Sequence, residues 1–166
     1  MNRGHRARLM NPTTVPSVGV LVLRVVVGVT FVLHGLDKLG DLSSAEQLFA
    51  SLGIPAPGLM VPFVAVTEIV GGVLLIAGLA TPLVGAALAI DMLVALLTAH
   101  LGHGFFARDG GIELVLLLGG ASLGIALAGA GRFSLDAVSG PGRQMSVEAA
   151  LRLTRRISRR AGASAA

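Results

Sequence analysis

Leu23-Arg24-Val25-Val26-Val27-Gly28-Val29-Thr30-Phe31-Val32-Leu33-His34-Gly35-Leu36-Asp37-Lys38-Leu39 is the stretch that decides the fold of this chain. It overlaps an apolar run, residues 18–36, close to the ~20 residues a helix needs to cross a bilayer. Arg24 and His34 sit inside that run. Three further runs, residues 59–79, 83–100 and 112–130, contain Glu68, Asp91 and Glu113. An ionisable side chain in hydrocarbon costs at least ~2.5–3.5 kcal/mol on insertion scales. These residues must therefore pair with one another, meet water or carry out chemistry. The pattern predicts an all-α integral membrane protein, a four-helix transmembrane bundle with a polar interior.

Composition agrees. Of 166 residues 54% are hydrophobic and 13% charged, where a soluble domain has about a quarter charged. The apolar residues fall in four blocks. One membrane domain is expected over residues 18–138, between a polar segment, 1–17, and a basic tail, 139–166. The absence of cysteine removes disulfides, thiol nucleophiles, cysteine-ligated clusters and covalent haem attachment. Electrons passing through such a chain need a bound organic carrier or a partner protein.

The net charge of +4 does not describe a nucleic-acid surface, because the cations are mostly terminal. Arg3, Arg6 and Arg8 stand at one end, and Arg132, Arg143, Arg152, Arg155, Arg156, Arg159 and Arg160 at the other. The loops after the first and third runs hold only Lys38 and Arg108. By the positive-inside rule both termini are expected to be cytoplasmic. The first run is too long for a signal peptide, holds Arg24 and lacks a small-residue cleavage site, so it reads as a retained span.

Local signals set the expected boundaries. Pro12 and Pro16 oppose a helix before residue 18. Ser43 and Glu46 form a capping-box pattern that predicts a short interfacial helix over residues 45–52, ended by Gly53-Ile54-Pro55-Ala56-Pro57-Gly58. Ala80-Thr81-Pro82 reads as a tight turn. Gly102-His103-Gly104 breaks the third run, Phe105 and Phe106 dip into the interface, and Gly131-Arg132-Phe133-Ser134-Leu135-Asp136 closes the fourth. Gly120 and Gly124 make a G-x-x-x-G pair, assigned to packing within the bundle, with a homodimer face as the alternative. The Arg run in residues 146–160 suits anionic headgroups, or simply sets topology.

Depth along the helices, at ~1.5 Å per residue, groups the polar residues. Arg24, Glu68 and Asp91 are expected in one buried ionic layer. One Arg against two carboxylates leaves a deficit of charge, which a proton, a ligand or a cation must complete. Arg24, Phe31 and Lys38 repeat every seven residues and share a helix face. His34, Lys38, His100 and Glu113 are placed in the outer half, as an outward-facing polar pocket above that floor. His100 lies nine residues after Asp91, on the opposite face of an ideal helix, and is the residue that fits this pocket least. Glu68, Asp91, Glu113 and His34 are the catalytic candidates; Arg24, Lys38 and His100 join them as candidate ligand contacts. A purely structural reading also stands: Arg24 snorkels to headgroups, or pairs with Glu68 and Asp91. His34, His100 and Glu113 match no recognised metal-ligand spacing, so no metal site is predicted. No nucleotide-binding or hydrolase motif is present.

These same residues resemble the DoxX family. Residues 23–39, quoted above, match its opening signature. So do Phe49-Ala50-Ser51-Leu52-Gly53-Ile54-Pro55-Ala56-Pro57, Glu68 with Gly71-Gly72, and Asp91-Met92-Leu93-Val94-Ala95. His100, Gly104-Phe105-Phe106, Gly110-Gly111-Ile112-Glu113 and Gly131-Arg132-Phe133-Ser134-Leu135-Asp136 complete the resemblance, which covers roughly residues 18–138. Ile112 stands where the family often has an aromatic residue. The resemblance implies a four-span protein of the bacterial plasma membrane. The family takes its name from a subunit of a thiosulfate:quinone oxidoreductase, and other members are linked to redox or thiol-stress functions beside soluble oxidoreductases. The expectation is an accessory subunit of a membrane redox system, handling a quinone or small oxidant with an oxidoreductase partner. A small-molecule or lipid carrier, or a membrane scaffold for a cytosolic enzyme, are the alternatives.

Overall fold

The computed structural model describes residues 14–139. The expectations for residues 1–13 and for the basic tail from 140 onward lie outside them. The described residues are helices and loops: α1 Thr14–Gly40, α2 Leu42–Ser51, α3 Pro57–Ala77, α4 Thr81–Ala95 with a π-helical turn Leu96–His100, α5 Glu113–Ala128 and α6 Leu135–Ser139. Three stretches, Ser17–Gly40, Pro57–Ala77 and Thr81–His100, are long and apolar enough to cross a membrane. The fourth, α5, has 16 residues, shorter than the run read from the sequence. Gly129, just past its end, takes positive φ and stops it.

The distribution of apolar side chains is that of a membrane protein. Val26, Leu33, Leu83 and Leu127 are each at least 60% exposed, an apolar surface that suits lipid. Thr30, Thr67 and Thr98 each donate their hydroxyl to the carbonyl four residues back, so these helices present no unsatisfied hydroxyl there.

Two boundaries differ from the sequence expectation. α1 begins at Thr14, so Pro16 lies inside its first turn. Backbone N–H groups there have no helical acceptor, and proline loses nothing. α2 begins at Leu42, with Asp41 and not Ser43 as its cap. The Asp41 carboxylate accepts from Ser44 N at 3.0 Å and Ser44 Oγ at 2.6 Å. These two bonds hold its pKa below the usual carboxylate range.

The bundle is built as two helix pairs, α1 along α3 and α4 along α5. Glycine sets the first crossing. A Cβ on Gly28 would lie 2.6 Å from the Gly72 carbonyl oxygen, and one on Gly72 would lie 2.5 Å from that of Gly28. A Cβ on Gly35 would meet the Ala65 carbonyl at 2.6 Å. In the second pair Gly85 sits against the Ser122 carbonyl. Gly71 against Leu88 joins the pairs, and Phe31, Leu75, Leu88 and Ile125 form the shared core. Gly120 and Gly124, read from sequence as packing within the bundle, do not pack: a Cβ on either would meet nothing within 4 Å. They lie on the outer face of α5.

Candidate functional site

A cavity of about 650 Å³ lies between the two pairs, lined by residues of α1 to α5. Helix α2 lies against α3 beside its mouth and supplies Leu48, Phe49 and Leu52 to the lining. None of the α2 residues is buried. Phe31, Met60, Val64, Met92, Val115 and Leu118 make the body of the cavity apolar. Its polar groups are His34, Asp37 and Lys38 from α1, Asp41 and Ser44 from the cap and first turn of α2, Glu68 from α3, and Asp91, Thr98 and His100 from α4 and its π-helical turn. A volume of several hundred Å³ with an apolar body and few polar groups is the usual form of a small-molecule site.

Glu68 is buried in the middle of α3 and reaches Lys38 of α1. Lys38 Nζ donates to Oε2 at 2.7 Å and to Oε1 at 2.9 Å, and lies 3.5 Å from the His34 carbonyl. Asp91 shares this cavity, within electrostatic reach of both. No hydrogen bond from the described residues reaches its carboxylate, and its Oδ2 is buried. His34 is exposed to the cavity on the same helix face as Lys38, one turn earlier. His100 also lines the cavity. The π-helical turn, closed by Leu101 N to Leu96 O at 2.9 Å, breaks the ideal spacing that had set His100 opposite Asp91. His100 Nδ1 lies 2.7 Å from the Gly110 carbonyl, so Nδ1 carries the hydrogen and Nε2 is left as the free ring nitrogen.

Two expected members stand elsewhere. Glu113 does not line the cavity. It braces the loop after α4, accepting from Ala107 N at 2.9 Å while its own N–H donates to the Phe105 carbonyl. Arg24 does not join Glu68 and Asp91, nor does it snorkel, being 1% exposed. The antiparallel register sets Gly35 opposite Ala65, Gly28 opposite Gly72 and Arg24 opposite Ile76. Glu68 thus lies level with the C-terminal half of α1, and Lys38 is the cation within its reach.

Arg24 instead closes the other end of the bundle. Its guanidinium donates to the carbonyls of Leu75 at 2.9 Å, Ile76 at 2.8 Å and Phe133 at 3.0 Å, and to that of Ala130. Gly78, at φ +69°, passes so close that a Cβ would lie 2.5 Å from Nη2. Beside it Asp136, which sequence reasoning quoted but gave no role, caps α4. It accepts from Ala80 N at 2.7 Å and Thr81 N at 2.9 Å, while its own N–H donates to the Gly78 carbonyl at 2.9 Å. Partial burial pushes the Asp136 pKa up, but these bonds and the nearby Arg24 charge outweigh it and hold the group below the usual carboxylate range. Asp37, Asp41 and α2 were likewise not assigned to the pocket in the sequence; nothing local to them announces a cavity formed by distant helices.

A membrane bundle with an apolar cavity, an ionic cluster in its wall and a sealed opposite end is the class of protein defined here. The DoxX family model matches residues 19–101. The Bacillus subtilis protein CatD, whose name proposes an oxidoreductase, is 37% identical over 119 residues, covering 72% of this chain and 85% of that protein. The Escherichia coli inner membrane protein YqjF is 32% identical over 123 residues, covering 72% and 90%, and YphA, also named an inner membrane protein, is 29% identical over 126 residues, covering 70% and 87%. No solved structure matches the chain significantly. The chain belongs to the DoxX family and is an integral membrane protein.

Proposed function

We propose that this chain is an accessory subunit of a membrane redox system, whose cavity holds a quinone or similar small oxidant. The observation that carries the reading is the cavity itself: about 650 Å³ with a mostly apolar lining, and with Asp91 and the Lys38–Glu68 pair in its wall. His34, His100 and Lys38 would orient the ligand's oxygens, and Asp91 and Glu68 would hold or release protons there. A quinone, when bound, supplies the two-electron chemistry that a chain without cysteine does not. Electrons would arrive from a soluble or membrane oxidoreductase partner. The oxidoreductase name of CatD supports this reading.

With both termini cytoplasmic, in a bacterial plasma membrane, the cavity faces outward. A carrier needs a path to the other side, and the Arg24 cluster seals that end with backbone carbonyls from α3 and the segment after α5. The redox reading is therefore favoured. Native mass spectrometry of the protein extracted with its surrounding lipid tests it. A bound quinone or a stoichiometric oxidoreductase supports the proposal. Phospholipid alone, reproducibly, overturns it and makes flux across sealed vesicles the next measurement.

A further inference from the structure

The cavity's charges are not balanced. Asp37, Asp41, Glu68 and Asp91 line it, and Lys38 is its lysine, with no arginine in the lining. Lys38 already gives Nζ to both oxygens of Glu68. The His34 and His100 rings do not donate to Asp91, and His100 spends Nδ1 on Gly110. A carboxylate has about four acceptor sites and, once ionised, no donor. Asp91 is half-buried in the cavity wall with its Oδ2 enclosed, and no described residue donates to its carboxylate, whose other oxygen is the one left for a ligand. Leaving such a group unsatisfied is costly, and a ligand donor that reaches it gains a charge-assisted hydrogen bond.

This lining disfavours anions and discriminates between the two redox forms of the ligand proposed above. A quinone's oxygens only accept, so Asp91 must first bind a proton before it bonds to them. A hydroquinone carries hydroxyl hydrogens and completes Asp91 directly. Resting on the cavity reading, we infer that the site holds the reduced, hydroxyl-bearing form of its ligand more tightly than the oxidised form, with Asp91 accepting the hydroxyl hydrogen. Preferential binding of the reduced form makes the bound couple easier to reduce. A tenfold preference corresponds to about 30 mV for two electrons.

The test is binding, separate from turnover. The full chain in lipid nanodiscs is titrated with decylubiquinone and with decylubiquinol under argon, at equal lipid loading, by isothermal titration calorimetry. The expected result is a Kd about tenfold lower for the quinol. Asp91→Asn, which offers a donor as well as an acceptor, is expected to bring the ratio below threefold with the fold retained by circular dichroism. Equal affinities for the two forms overturn this inference and leave the cavity reading standing. Failure of both to bind overturns both. A preference that survives Asp91→Asn removes Asp91 from the explanation. The wild-type ratio decides the redox preference even if that variant does not fold.

Discussion

Lys38 Nζ sits between the two carboxylate oxygens of Glu68, 2.7 and 2.9 Å away, and ties the last turns of α1 to the middle of α3. The two ends of this pair are not equivalent. The Glu68 side chain is 3% exposed and that of Lys38 is 23% exposed. Removing the lysine strands a buried carboxylate, whereas removing the carboxylate frees a lysine that is already partly exposed. Breaking one side of a buried pair costs ~3–5 kcal/mol. Lys38→Met is therefore expected to lower stability by several kcal/mol and Glu68→Gln by less. The double variant should recover more than half of the Lys38→Met loss. Thermal unfolding in one detergent across the four proteins measures the coupling; additive losses would show that the pair contributes nothing.

The Arg24 cluster makes a prediction that separates it from the cavity. Lysine keeps the charge but offers three donors from one point, where arginine places five in a fork. Arg24→Lys should leave at least one of the four carbonyls unpaired in a buried position, at a cost of ~1–3 kcal/mol each. Hydrogen exchange should accelerate in residues 75–80 and 129–136, while ligand affinity in the cavity changes by less than twofold. A tenfold loss of affinity in that variant would restore Arg24 to the site from which the register excludes it.

Asp136 gives a pH dependence with a fixed sign. Its pKa is depressed in the folded protein, by hydrogen bonds from Thr81 and Ala80 and by Arg24 working against desolvation. Such a group stabilises the fold above its unfolded pKa of ~3.9, and the stabilisation is lost as pH falls through the folded value. Asp136→Asn should cost ~1 kcal/mol at pH 7, as loss of a helix cap does. It should also flatten the decline in stability below pH 4. Melting temperatures of both proteins from pH 3 to pH 7 check this; parallel curves would remove Asp136 from the acid response.

The fold was legible because lipid imposes a simple rule. Runs of about 20 apolar residues could be counted, and four helices stand where four runs were read. Glu68 and Asp91 were placed at one level from their depths, and both line the cavity. What depth could not give was register. The close approach of Gly28 to Gly72 and of Gly35 to Ala65 sets Glu68 level with residues between 28 and 35, away from Arg24, and α1 runs on to Gly40 so that Lys38 stands within reach of it. Nor does the sequence announce a π-helical turn, and without it His100 pointed away. Glu113 stands in the first turn of α5, where its run puts it, but its carboxylate bonds back to its own loop and not into the cavity, a direction that the spacing does not give.

Two glycine positions with similar spacing signals have opposite surroundings, and they yield the last prediction. Gly72 is pressed against the Gly28 carbonyl and Val32, at 2.5 and 2.9 Å from an added Cβ. α1 cannot retreat without opening the Lys38–Glu68 pair and the Phe31 core. Gly72→Ala should therefore cost ~1–3 kcal/mol, the range for overpacking. Gly120 and Gly124 face open space, so Gly120→Ala is sterically free within the bundle. It removes the conformational cost of a mid-helix glycine and should raise stability by up to ~1 kcal/mol. That gain is expected only if the outer face of α5 meets lipid. If two copies of the chain pack through Gly120 and Gly124, the added methyl groups collide instead. Analytical ultracentrifugation in matched-density detergent distinguishes the cases. A more stable protein with an unchanged mass assigns this face to lipid, and a loss of dimer on Gly120→Ala assigns it to a second copy.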